Sequence, residues 1–183
     1  LSAWSAASDV SKGQMLPGAP GEESKRINSE TATNIASTSY VKADVNFLQG
    51  MIVHHEQAIL MSNMADKRTN NKTIVDLANR IDSSQEDEIN FMKNWLEFRD
   101  EETSFGHTNH EGHMAMAGMA STDELKELEN SKSTDFDKLF LRLMINHHDG
   151  ALQMVKDLKE HPGTAYDPML NEFVSDLVND QVP

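Results

Sequence analysis

The sequence predicts an all-α protein: an antiparallel four-helix bundle assembled from a duplicated helix pair, with a Met/His-rich connecting loop. Three observations carry that expectation. One phrase, Phe47-Leu48-Gln49-Gly50-Met51-Ile52-Val53-His54-His55-Glu56-Gln57-Ala58-Ile59-Leu60-Met61, recurs as Phe140-Leu141-Arg142-Leu143-Met144-Ile145-Asn146-His147-His148-Asp149-Gly150-Ala151-Leu152-Gln153-Met154. Phe, Leu, Met, Ile, both His, an acidic residue, Ala and the last Met keep their places, which marks an internal duplication. Apolar residues return at three- and four-residue steps, the period of a helix with one buried face. Short connections then make sequential helices antiparallel neighbours.

Residues 1–42 are rich in Ser, Ala, Thr, Asn and Gly, and Pro17 and Pro20 break any helical run. They are expected to form an extended or partly ordered arm, from which Trp4, Met15 and Leu16 can pack on the bundle or join a metal site. The bundle occupies residues 43–183, with its first helix pair in 43–103. Phe47, Met51, Ala58, Met61 and Ala65 set a first helix from about Ala43 to Lys67. Asn70 and Asn71 supply a turn and a cap. Ile74, Leu77, Ile81, Ile89, Met92 and Leu96 then set a second helix from Lys72 to about Glu102. Its stripe is interrupted at Ser83 to Glu86, where Gln85 is either a solvated residue or a buried polar contact facing the His cluster.

Residues 104–120 change character, since His107, His110, His113, Met114, Met116 and Met119 lie among small and polar residues. A Gly-containing loop has little core for such methionines to fill. Ser121 and Glu124 form a capping-box pattern that opens a short helix. Ser133 and Thr134 are expected to cap a third long helix, which stops at Pro162-Gly163. Asp167-Pro168, a cap followed by a first-turn proline, opens the fourth. Residues 121–183 thus hold the short helix and the second pair. Ile74, Ile81 and Gln85 align with Leu170, Leu177 and Gln181, so the repeating unit is a helix pair. The second copy stops early at Pro183, and a longer native chain is expected.

The repeated phrase makes chemical sense on a helix. Met51 shares a face with His54 and His55, and Met61 lies two turns beyond His54. Met144, His147, His148 and Met154 repeat the arrangement. A carboxylate-bridged di-iron bundle uses Glu-x-x-His on two helices. Here Met stands three residues before the first His in both copies, and Glu-x-x-His is absent from the chain. Soft thioether sulfur selects Cu(I), and imidazole suits copper and zinc, so the set points to copper with silver as its mimic. Met51, His54, Met61, Met144, His147 and Met154 are the first-rank ligands. Adjacent His residues point about 100° apart on a helix. One of each pair is therefore expected inside and the other towards solvent or a second site, where His55 and His148 can bind a neighbouring ion or Cu(II). Met64 and Met92 read as gap-filling core. Glu56 and Asp149 have three readings: orienting His, ligating a harder ion, or facing water.

The doubled Met-x-x-His-His-[Glu/Asp]-x-Ala phrase resembles the bacterial family known as domain of unknown function 305, over about residues 44–181. The resemblance implies a ferritin-like four-helix bundle and a role in copper binding and resistance.

The remaining totals narrow the function. Asp and Glu number 30 against 16 Lys and Arg, a net charge of −14, which disfavours nucleic acid and anionic membrane as partners. No stretch of 18 apolar residues exists to span a bilayer. Eleven Met and no Cys suit an oxidising compartment, since thioethers cannot be lost to disulfides. An exported, periplasmic or secreted protein is the expectation, with metal ions and a copper exporter or other copper-handling protein as partners. The chain shows no nucleophile arrangement, phosphate-cradling Gly motif or nucleotide fingerprint, so a non-enzymatic copper carrier or store is expected. A ferritin-like metal-dependent oxidoreductase and a metal-free helical interaction module are the rival readings.

Overall fold

The computed structural model describes residues 14–16, 25–27, 40–104 and 116–181. Among them, strands β1 (Gln14–Leu16) and β2 (Lys25–Ile27) pair antiparallel, with Met15 opposite Arg26. Everything else of regular structure is helical: α1 (Lys42–Ser62), α2 (Ala65–Arg68), α3 (Lys72–Glu97), α4 (Thr122–Asn130), α5 (Ser133–Glu160) and α6 (Pro168–Gln181). Trp4 and the loop residues His107, His110, His113 and Met114 lie outside the described residues.

Local chemistry explains most helix ends. The Asn71 side chain accepts from Thr73 N–H at the start of α3. Ser121 and Glu124 bond each other's backbone N–H reciprocally at the start of α4. Asp167 accepts from Leu170 N–H at 2.9 Å, with Pro168 as the first helical residue of α6.

Three boundaries differ from the sequence expectation. α1 ends at Ser62 rather than Lys67, because a tight Met64 N–H to Met61 C=O bond closes a turn before α2. α3 stops at Glu97 rather than Glu102. There Asp100 takes a left-handed conformation (φ 55°), Glu101 N–H reaches back to Leu96 C=O, and Asp100 N–H reaches Glu97 C=O. That is a Schellman ending with Asp in the position glycine usually fills. Ser133 does not cap α5: it enters the helix at φ 53°, and Lys132 takes the N-cap position without a side-chain bond.

The interior falls into two apolar clusters. The first joins Val45, Leu48, Met51 and Ile52 of α1, Ile89, Met92, Trp95 and Leu96 of α3, Ala151, Val155 and Leu158 of α5, and Leu170, Phe173, Val174 and Leu177 of α6. The second joins Ala58 and Met61 of α1, Ala65, Ile74 and Ala78 of α2 and α3, Leu128 of α4, and Phe136, Leu139, Phe140, Leu143 and Met144 of α5. The early half of α1 thus meets the late halves of α3 and α5, and its late half meets their early halves. α1 therefore runs antiparallel to both. α6 covers the first cluster and α4 the second. Between the clusters, each long helix of this trio contributes polar residues: His54 and His55 from α1, Gln85 and Glu88 from α3, His147 and His148 from α5.

Candidate metal centre

The repeated phrase places its histidines where the two apolar clusters meet. His54, His55 and His147 are fully buried, and His148 is half-buried. The one-inside, one-outside expectation is therefore corrected for the first pair, where His55 is as buried as His54, while in the second His147 is inside and His148 half-buried. His55 stays inside because Glu88 on the antiparallel α3 accepts a hydrogen bond from its Nε2. Gln85 is likewise buried rather than solvated, and its Oε1 has no partner among the described residues.

The antiparallel run of α1 and α5 also brings the two copies together crosswise. His54 and His147 stack with ring centroids 3.7 Å apart and planes inclined by 37°. Met51 and Met154 belong with the first cluster, Met61 and Met144 with the second. Each cluster therefore holds one of these methionines from each copy, with the histidines on the stretch of helix between the clusters. This follows from running two copies of one helix in opposite directions. Met92 is buried core and Met64 is partly buried, as gap-filling residues would be.

Hydrogen bonds define the state of each ring. His54 Nε2 donates to Ala117 C=O at 3.0 Å, and His147 Nε2 donates to His54 C=O at 2.7 Å. His148 Nδ1 donates to Met144 C=O at 2.7 Å. The Nδ1 atoms of His54, His55 and His147 are buried without any partner among the described residues. An orphaned buried ring nitrogen is costly in a finished core and useful as a ligand. Burial is the main cause that lowers the His54 pKa to about 4 and the His147 pKa to about 2. Bonds to the Ala117 and His54 carbonyls oppose that shift, and neighbouring histidines add to it. These rings are thus neutral near pH 7, the form a metal requires. His148 is shifted down as well, again mainly by burial.

Glu56 and Asp149 are both exposed, and Glu56 reaches Lys93 across the surface at 3.7 Å. Facing water is the reading that fits them. Among the described residues, no three His, Asp or Glu side chains form a group that could hold a metal ion. A soft ion would need thioether sulfur to complete its shell, for which Met51, Met61, Met144 and Met154 of the two clusters are the candidates.

The end of the Met/His-rich loop is clamped onto this layer. Gln57 donates to Ala120 C=O at 3.0 Å and accepts from Ala120 N–H at 2.7 Å. Gly118, at φ 77°, lies so close to α5 that a Cβ there would come within 2.2 Å of Asn146 O. A Cβ on Gly150 would stand 2.0 Å from Ala117 O. Backbone-to-backbone approach of this kind requires glycine. Met116 and Met119 are half-buried in the clamped segment. Glu88, Gln57, Gly118 and Gly150 were not legible as site residues. Only the departure of Gly150 from Gln57 at the same place in the duplicated phrase hints at them.

One consequence reverses a familiar sign. Gly to Ala inside a helix ordinarily stabilises by about 1 kcal/mol. Gly150→Ala should instead destabilise by roughly 1–3 kcal/mol, the usual cost of overpacking, because the new methyl collides with the Ala117 carbonyl. Urea unfolding of the metal-free protein measures it. A midpoint equal to or above that of the parent would show that the loop does not sit on α5.

Buried imidazoles where two apolar clusters of antiparallel helices meet, each cluster with methionines from both copies of the phrase, mark the centre of a mainly helical protein. The chain belongs to the DUF305 family, whose domain of unknown function matches residues 44–182. Among solved structures it is similar to a DUF305 protein of Streptomyces coelicolor described as secreted, with 28% identity, TM-score 0.67, and 76% of this chain and 83% of that one covered. A DUF305 fragment from Deinococcus radiodurans is similar at 27% identity and TM-score 0.67, covering 78% and 89%. CopM is similar in its Cu(I)-bound form, at 28% identity and TM-score 0.58 over 75% of this chain and 86% of that one. In its Cu(II)-bound form the values are 30% and 0.59 over 75% and 87%. No curated protein matches the chain.

Proposed function

We propose that the chain is an exported copper-binding protein that sequesters or transfers Cu(I), accepts Cu(II) as a second state and Ag(I) as a mimic, and protects its cell from excess metal. The observation that carries this reading is the trio of buried Nδ1 atoms of His54, His55 and His147, without partners among the described residues, between two clusters that each hold methionines of both copies. CopM, a relative solved with either copper state bound, supports it. In this reading the helices form an antiparallel, ferritin-like four-helix bundle that works as a ligand scaffold and not as an enzyme. More than one ion per chain is expected, with His107, His110, His113, Met114, Met116 and Met119 supplying a further set. Export fits a relative described as secreted, and no described helix is long and apolar enough to cross a membrane. A copper exporter or another copper-handling protein would receive the ion.

Competition against a Cu(I) chelator tests the reading. Met51→Ala with His54→Ala, and Met144→Ala with His147→Ala, should each weaken binding more than about tenfold, or 1.4 kcal/mol. Unchanged affinity in both double variants would remove the helical sites. Elemental analysis of protein purified without added metal separates this from the metal-free module, and oxygen-dependent turnover with iron or copper would reveal an oxidoreductase.

A further inference from the structure

The two copies of the repeated phrase differ at the position occupied by Gln57 in one and Gly150 in the other, and both residues serve the same five-residue stretch, 116–120. Gln57 holds Ala120 by both its N–H and its C=O. Gly150 admits Gly118 to backbone contact. In the stretch held from both helices, the Ala117 carbonyl, itself packed against Gly150, sits 3.0 Å from His54 Nε2. A carbonyl can only accept, so this contact exists only while His54 carries its proton on Nε2. The His54 carbonyl in turn accepts from His147 Nε2 at 2.7 Å. One backbone latch thus touches the first ring directly and the second through the first.

We infer that residues 116–120 act as a latch that fixes His54 and His147 as Nε2–H tautomers, and that Gln57 is its positioning residue. The metal-facing atoms are then Nδ1 of both rings, which with His55 Nδ1 are the buried imidazole nitrogens left without partners among the described residues. His148, bonded through Nδ1 to Met144 C=O, is held in the opposite tautomer and presents Nε2. Outer partners that orient a ligating imidazole in this way commonly influence affinity by 10–100-fold. Gln57 has no ligand role of its own in this scheme. It acts through the backbone it holds.

The inference rests on the copper-binding reading only for its metal arm. The first measurement is on metal-free protein with ¹⁵N-labelled histidine, in which imidazole nitrogen shifts separate protonated from bare nitrogens. His54 and His147 should each show a single Nε2–H tautomer and His148 an Nδ1–H tautomer. In Gln57→Ala, the His54 signals should move towards a tautomer mixture while far-UV helicity stays unchanged. Should Gln57→Ala fold poorly, Gln57→Glu, which keeps an acceptor for Ala120 N–H but loses the donor to Ala120 C=O, should move the same signals. The second measurement adds Ag(I): perturbation should appear at Nδ1 of His54 and His147, with affinity about tenfold lower in Gln57→Ala. His54 protonated on Nδ1, or His54 signals indifferent to Gln57→Ala, overturns the latch. Silver bound through Nε2 also overturns it while leaving the copper reading intact. No silver binding, with the tautomers as assigned, sinks the copper reading and leaves the latch standing.

Discussion

Metal-free protein should lose stability steadily as the pH falls from about 6.5 to 4, and the histidine layer should be the main cause. In the unfolded chain a histidine takes up its proton near pH 6.5. Folded, His54 does so only near 4 and His147 near 2, chiefly because burial penalises the charged ring. Between those values the unfolded state binds more protons, so acid favours unfolding, and the stability present above pH 6.5 is lost on the way down. Each ring should contribute on the order of 3 kcal/mol by pH 4. Together they rival the whole stability of an ordinary domain. The groups facing these rings are His55, His148 and the Ala117 and His54 carbonyls, with Glu88 beside His55. Urea midpoints at pH 7, 5.5 and 4.5 read the effect, and His54→Leu should flatten the slope. A parent profile that stays level across this range would mean that the rings are hydrated or charged in the fold.

The same burial shows which parts of the structure could be read in advance. The duplicated phrase carries its own periodicity, and Met, His and apolar residues at helical spacing leave little choice about which face turns inward. Caps at Asn71, Ser121 and Asp167 are local, formed within two or three residues of where they are written. Glu88 is another matter, since it meets His55 only after α3 has folded back along α1. No spacing within either segment encodes that meeting. Gln85 looked like a break in an apolar stripe, yet it is buried because α1 and α5 place polar residues at the same level. The Schellman ending at Asp100 was hidden because the residue that usually announces it, glycine, is missing.

Duplication explains the centre, and departures from duplication explain its surroundings. Copies related by reversal bring His54 onto His147 and divide four methionines between the two clusters, one from each copy in each. A symmetric pair would leave both faces of the layer equivalent. The chain departs from that where Gln57 and Gly150 receive the loop end. It departs again where α6 closes one cluster and α4 the other. An acidic groove lined by Asp87, Glu88, Phe91, Met169, Glu172 and Asp176 lies between α3 and α6. Through Glu88 its wall reaches the buried His55.

The largest single-residue effect on stability is expected at Asp167. Its side chain is buried, caps α6 through Leu170 N–H, accepts from the Trp95 indole at 3.1 Å, and pairs with Arg99. Arg99 is itself buried, with its guanidinium 3.9 Å from the centre of the Trp95 ring. Removing the carboxylate strands a buried cation, which typically costs about 3–5 kcal/mol, and the lost cap adds about 1. The terms share one side chain and will not add in full. Asp167→Ala should therefore lower the Tm by roughly 10 °C or more for a chain of this size. Asp167→Asn, which keeps an acceptor for the cap and the indole, should lower it by less. Acid should act in the same direction. Burial alone would raise the Asp167 pKa, but Leu170 N–H, Trp95 and Arg99 outweigh it and hold the carboxyl below its usual range. Its stabilisation is thus complete above the unfolded carboxylate pKa and lost as the pH falls through the depressed folded value. Thermal melts of both variants at pH 7 decide the matter. A shift under about 2 °C for Asp167→Ala would mean that Arg99 finds another partner, and that α6 is held by the apolar contacts of Leu170, Phe173 and Leu177 alone.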